Sequence, residues 1–304
     1  MSGLKELRKR IQAVKSTQKI TSAMKMIAAS RLHRVQTLSQ QNKIYDLNLE
    51  NSLRRVIFAL KQEENQKNIK YITPKLLQNK TKPQNYLLYV FSSQRGLCGA
   101  YNVNIARQAT RRIKELLKQN KNIKVICLGK KAYEILCRTF VAQNLDIQLF
   151  NEEQNLSYSQ TAALLAQEIL QGFKSEEFDI CEFIYARFTS ALNHDFICEK
   201  VCPLTIESLP EDEKLLINGD AFYDYMPDKI NFLGQILPLY FANNILKIIL
   251  SSEASEHSTR MTSMDNATRN AQKIVGELTL KYNSLRQSAI TTELIEVIAG
   301  AEAV

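Results

Sequence analysis

Glycine and proline are missing from long stretches at both ends of this 304-residue chain, which has nine glycines and six prolines in all. Neither residue stands between Gly3 and Pro74, and after Pro238 there is no further proline and only Gly276 and Gly300. Nothing therefore breaks a long helix at either end. No run approaches the roughly 18 to 20 apolar residues that cross a bilayer, and MSGLKELRKR has charge with no apolar segment behind it, so neither a membrane span nor export is expected. Cys-x-x-Cys is absent. The closest of six cysteines, Cys198 and Cys202, have no adjacent histidine, which favours reduced, buried thiols over a metal site. The three histidines are scattered. His33 and His257 are expected on the terminal helices and His194 in a loop over 190–196, with no serine placed to act as a nucleophile beside His194 and Asp195. Carboxylate groups such as Glu152-Glu153 and Glu211-Asp212-Glu213 lie in polar stretches and read as solvated loops.

The net charge of +9 is uneven. Residues 1–34 hold nine basic side chains against the single acid Glu6, and the other 270 residues are nearly balanced. Such a segment calls for an anionic partner surface, which charge alone leaves open among nucleic acid, phospholipid and acidic protein. The arm has no aromatic stacking residue before Tyr45, which weighs against nucleic acid.

What is present on the arms is a helical seam. Leu4, Leu7, Ile11 and Val14 step by three and four, and the pattern continues through Met24, Ala28, Leu32, Val35 and Leu38. At the other end Ile274, Leu278, Tyr282, Leu285, Ala289, Thr292, Ile295 and Ala299 repeat it. Each arm is about 60 residues, roughly 90 Å at 1.5 Å per residue, so pairing the two ends as an antiparallel coiled coil is the simplest way to cover both seams.

The middle differs. Apolar runs at 86–91, 123–128, 147–150, 180–188 and 197–206 read as buried strands, and 103–119, 131–138 and 159–173 read as helices between them. The alternation predicts a Rossmann-like open α/β domain over 61–215, flanked by an N-terminal coiled-coil helix over 1–60 and a foot segment with the C-terminal coiled-coil helix over 216–304. A Gly-containing turn, SSQRGLCGAYN at 92–102, follows the first strand. Its spacing is G-x-x-G and no Lys-Ser or Lys-Thr follows, while at Gly129-Lys130 residue 131 is Lys where a phosphate loop needs Ser or Thr. A tight turn at the sheet edge is favoured over nucleotide binding, and no cofactor is expected.

Three segments carry a family resemblance. TQKITSAMKMIAASR at 17–31, the turn SSQRGLCGAYN and ITTELIEVIAGA at 290–301 are similar, in the same order, to segments of the γ subunit of F-type ATP synthases. Departures are Ile27 and Arg31 in the first segment, Ala100 in the turn, and SEHSTRM at 255–261. No transit peptide precedes Ser2, which points to a bacterial member.

The resemblance implies a non-catalytic rotor shaft that carries torque between a proton-driven membrane c-ring and a ring of alternating α and β subunits. It implies the α and β subunits, ε and the c-ring as partners, no nucleic acid and no substrate of its own, and a peripheral place on the cytoplasmic face of the inner membrane. By motif position Met24, Lys25, Arg260, Arg286, Gln287, Thr291 and Glu293 would face the α/β ring. Tyr223, Asp224, Tyr225, Pro227 and Asp228, in FYDYMPD, would face the c-ring and ε. A stand-alone basic coiled-coil adaptor, for nucleic acid among others, is the alternative reading of the same charge.

Overall fold

The computed structural model describes residues 2–67, 76, 80, 82–150, 156–190, 193–204 and 228–302. In chain order the elements are α1 (Ser2–Lys67), β1 (Asn85–Phe91), α2 (Tyr101–Lys118), β2 (Asn122–Leu128), α3 (Lys130–Thr139), a 3-10 turn (Val141–Gln143), β3 (Asp146–Leu149), α4 (Tyr158–Lys174), β4 (Ile180–Phe188), β5 (His194–Cys202) and α5 (Lys229–Glu302). They fall into two compact units. One comprises Met1–Arg31 with Ser258–Val304, and the other Leu32–His257.

The larger unit is built on a five-stranded sheet of order β3-β2-β1-β4-β5. β1 to β4 run parallel and β5 returns antiparallel along β4. β1 is central, so the turn that follows it lies at the middle of the sheet and not at its edge, as the sequence had suggested. The strand order reverses between β1 and β4, the topology of a doubly wound fold.

Side chains of β1 divide by the period of two. Tyr86, Leu88 and Val90 enter one core with Ile105, Ala109, Ile113 and Leu116 of α2 and Ala132 and Leu136 of α3. Leu87, Tyr89 and Phe91 enter the other with Leu165 and Ile169 of α4, Leu53, Val56 and Ile57 of α1, and Leu233, Leu237, Phe241, Ile245 and Ile248 of α5. Burial on both faces explains why the strands read as continuous apolar runs. α5 also contains a stretch long and apolar enough to cross a bilayer, and half of it is buried inside the protein; the side chains against the sheet account for that apolarity.

Two expectations are corrected. The last strand runs from His194 to Cys202 rather than over 197–206, because Pro203 has no N–H to extend the ladder and the polar start pairs with the end of β4, Phe188 opposite His194. His194 is thus a strand residue. The final helix starts at Lys229, with Pro238 inside it. Proline frees the carbonyl four residues back, here Gly234, and both Gly234 and Pro238 face solvent, where water can satisfy it.

Charged groups in the larger unit are held by geometry. The Arg112 guanidinium on α2 makes a two-pronged contact with Glu182 on β4, at 2.7 Å and 2.6 Å, with the carboxylate almost fully buried. Removing the cation would leave that charge unpaired, so Arg112→Ala is expected to lower unfolding free energy by about 3 kcal/mol, measurable by urea denaturation; a loss within about 0.5 kcal/mol, ordinary for a surface substitution, would contradict this account. Asp179 accepts from the backbone N–H groups of Gln84 and Asn85 at 2.7 Å and 3.0 Å and from Lys80 at 2.6 Å. Burial pushes its carboxyl up, but those donors outweigh it and hold it below its ordinary value. Stability from this group is present above its unfolded pKa, about 4, and is lost as pH falls through its lower folded value. Asp179→Asn should therefore flatten the thermal stability profile below about pH 4, and an unaltered profile would exclude the contribution.

Candidate partner-contact site

The position where an open α/β sheet usually takes a ligand, beyond the carboxyl ends of the strands at the reversal of strand order, is filled here by α5. The Tyr101 hydroxyl lies 2.9 Å from the Ser252 hydroxyl, the Phe188 N–H donates to Ser251 Oγ at 2.9 Å, and Ser255 Oγ donates to the Ala186 carbonyl at 3.0 Å. Three serines spaced by one and three residues thus satisfy the polar ends of β4 and α2. Burial pushes the Tyr101 hydroxyl well above its ordinary value, so it stays protonated and can donate. The turn at 92–102 is closed on itself, with Asn102 bonded to Ser93 and to Cys98 Sγ at 3.1 Å. Gly129 is held at φ +110°, where a Cβ would stand 2.0 Å from the Ser92 carbonyl. These glycines and polar side chains serve strand-to-helix turns.

The smaller unit carries the other candidates. Met24 and Lys25 on α1 and Arg260 on α5 are half-buried, while Arg286, Gln287 and Thr291 are exposed. Lys25 Nζ reaches Asp265 at 2.6 Å, and Asp265 also meets Arg269 one turn along α5 at 2.8 Å. The bond from Lys25 holds the Asp265 carboxyl below its ordinary value. Thr291 donates to the Gln287 carbonyl at 2.9 Å, so its hydroxyl is engaged with its own helix. The side chain of Glu293 lies outside the described residues, as do Tyr223, Asp224, Tyr225 and Pro227 entirely.

Asp228 is described and has a local task. It accepts from the Asn231 N–H at 2.8 Å and the Asn231 side chain at 2.6 Å, capping the start of α5. The backbone bond from Asn231 leads in holding its carboxyl below its usual value.

Sequence reading passed over Asp265, Thr268 and the three serines. Asp265 had a signal, being the only acid between Glu256 and Glu277. The serines had none, since Ser251 and Ser255 partner backbone groups of β4 and Ser252 a tyrosine 151 positions away.

Toward its end α5 is bare of cover. Ile290, Leu294, Ile295, Val297 and Ile298 are all exposed, Val297 to 69%. At 100° per residue they span an arc of roughly 160°. On α1, Ile20, Met26 and Ile27 are likewise exposed, among basic side chains. Aliphatic groups grouped in this way make a candidate partner surface. Of the expected C-terminal seam, Leu278 and Tyr282 are half-buried but Ile274 and Leu285 are exposed, and Val275 takes the inward place.

The family model described as ATP synthase matches residues 3–304. An ATP synthase gamma chain from Geotalea daltonii is 39% identical, covering all of this chain and 99% of that one. The ATP synthase gamma chain of Sinorhizobium medicae is 35% identical, with both chains fully covered. Among solved structures, a chain of the Euglena gracilis mitochondrial ATP synthase in its assembly of OSCP, F1 and c-ring superposes with a TM-score of 0.61, covering 99% of this chain and 94% of that one at 17% identity. A chain of the Tetrahymena thermophila central stalk and c-ring gives 0.55 at 25% identity, over 82% of this chain and 99% of that one.

The stitch of α5 to the strand ends is directly testable. Tyr101→Phe removes one buried bond and strands the Ser252 hydroxyl, and should cost about 1 to 2 kcal/mol in urea unfolding. Tyr101→Phe combined with Ser252→Ala should recover part of it, and additive losses would argue that the two hydroxyls do not interact.

Proposed function

The chain belongs to the ATP synthase family as a bacterial γ-chain relative, a central-stalk subunit, and from that premise we propose how its surfaces are used. The α and β subunits form a sleeve around the paired terminal helices, and ε and the c-ring engage the foot. The complex places the chain peripherally on the cytoplasmic face of the inner membrane. The subunit performs no chemistry itself; it transmits torque between proton flow and the nucleotide sites of its partners. The match along the whole chain carries this reading, and the uncovered aliphatic end of α5 supports it, since such a face needs a surrounding surface. Excess positive charge on residues 1–34 suits an acidic protein wall. The nucleic-acid adaptor reading is not favoured.

Within the sleeve, apolar contact, that of Met24 included, supplies adhesion without direction, and Arg260, Arg286, Gln287, Thr291 and Glu293 supply the polar contacts that depend on angle. Lys25 belongs to the same stretch. At the foot, Tyr223, Asp224, Tyr225, Pro227 and Asp228 make the contact with the ring and ε.

The test is reconstitution with the α and β subunits and the membrane sector. Arg286→Ala is expected to lower steady-state ATPase on the order of five-fold, about 1 kcal/mol, while bound nucleotide on the partners is unchanged. Converting Tyr223 and Tyr225 to Ala should leave hydrolysis by the soluble complex intact and reduce proton pumping. Failure of the chain to assemble with α and β subunits would overturn the reading outright.

A further inference from the structure

The polar contacts between α1 and α5 in the smaller unit share one register. Thr21 Oγ1 and Thr268 Oγ1 are 2.8 Å apart, and Lys25 Nζ and Asp265 Oδ1 are 2.6 Å apart. One turn forward on α1 thus corresponds to about one turn back on α5, as antiparallel pairing requires. The same register sets Val14 level with Val275, Ile11 with Leu278 and Leu7 with Tyr282, and all six are half-buried. It also sets Ser2 level with about residue 287, just before the exposed aliphatic arc of α5.

A slip of one turn is penalised in either direction. It would bring Lys25 level with Arg269, a like charge, or with Met261, which offers no counter-charge. Thr21 would meet Gln272 or Met264 instead of Thr268. Asp265 cannot be replaced by a neighbour, because no other acid lies between Glu256 and Glu277 and none but Glu6 lies on α1 before residue 46. The apolar seam is less selective, since its inward groups recur every three or four residues.

We infer that Lys25, Asp265 and Arg269, with Thr21 and Thr268 beside them, form a register clamp for the paired arms. Lys25 then acts inside the hairpin as a positioning residue, and Asp265 joins the functional set through the alignment it imposes. A single polar contact that fixes alignment in an apolar seam is a well-attested use of such groups. The consequence for torque rests on the rotor reading: alignment decides how far the start of α1 lies from Arg286 and the aliphatic end of α5.

Cysteine pairs in the full-length chain report the alignment without any partner. Val14→Cys is combined in turn with Ala271→Cys, Val275→Cys or Thr279→Cys, the chain is mildly oxidised, and cross-linked peptides are quantified by mass spectrometry. The native cysteines all lie within residues 98–202 and give separate peptides. The 14–275 link should dominate. Lys25→Asp or Asp265→Lys alone should reduce its excess over the other two by about five-fold, the scale of a 1 kcal/mol preference, and the double exchange K25D/D265K should restore it to within about two-fold. Lys25→Met, which removes the charge without adding repulsion, should also reduce the excess. A preference unchanged in the single variants, or lost in the exchange, overturns the clamp. Either result leaves the rotor reading standing, because no partner subunit enters the measurement.

Discussion

Everything in this molecule depends on bringing together two helices that are nearly the whole sequence apart. Asp46 and Asn243 are separated by 197 positions and Lys25 and Asp265 by 240. Closing a loop of that length costs about 5 kcal/mol beyond a constant, but the cost rises only logarithmically, so a long central insertion adds little more than a short one. In the larger unit, Leu53 and Val56 of α1 and Phe241 and Ile245 of α5 are completely buried in one core, at roughly 1.5 to 3 kcal/mol each. Asp46 then receives Asn243 and Lys247, each at 2.8 Å. The apolar groups supply the attraction, and the polar set selects one alignment from several that would bury similar area.

A second consequence concerns the sheet. A doubly wound topology leaves a crevice at its strand ends, and polar backbone groups there need partners. In this chain Ser251 and Ser255 on α5 partner backbone groups of β4, and Ser252 beside them bonds the Tyr101 hydroxyl of α2. The fold keeps the architecture of a nucleotide-binding domain while its own helix occupies the place of the ligand. On the rotor reading this is what a mount requires: the body is joined to α5 by directional bonds as well as by apolar packing.

Much of this was legible in the residues because the signals were strong and local. Largely apolar runs bounded β1, β2 and β4 to within a residue, since burial on both faces over most of each strand leaves little alternation to misread. The absence of Gly and Pro marked both long helices. The start of α5 was obscured because Pro238 looks like a boundary in sequence, and only its exposed position explains why a helix tolerates it. β5 was displaced because its outward half is polar and gains its place by pairing with β4. The site was less legible. Lys25 could be found from its motif, but its partner Asp265 is set by the register of two distant helices, which no local pattern encodes.

The end of α5 shows why composition alone cannot identify such a surface. Ile290, Leu294, Ile295, Val297 and Ile298 would be unremarkable in a buried helix, and the sequence pattern by itself would accept them as a continued coiled-coil seam. The register set by Thr21 with Thr268 and Lys25 with Asp265 brings Ser2 level with about residue 287. The last turns of α5, beyond that point, carry their aliphatic side chains exposed. A helix of that length is marginal alone in water, and an apolar arc on it adds exposed area that favours any enclosing surface. Contact of that kind is nearly indifferent to rotation about the helix axis, because apolar burial has no preferred direction. Arg286 and Gln287, exposed just before the arc, have donors with fixed geometry. On the rotor reading, the order along α5 from a clamped hairpin through directional side chains to an aliphatic tip separates three tasks: holding alignment, registering angle and turning freely.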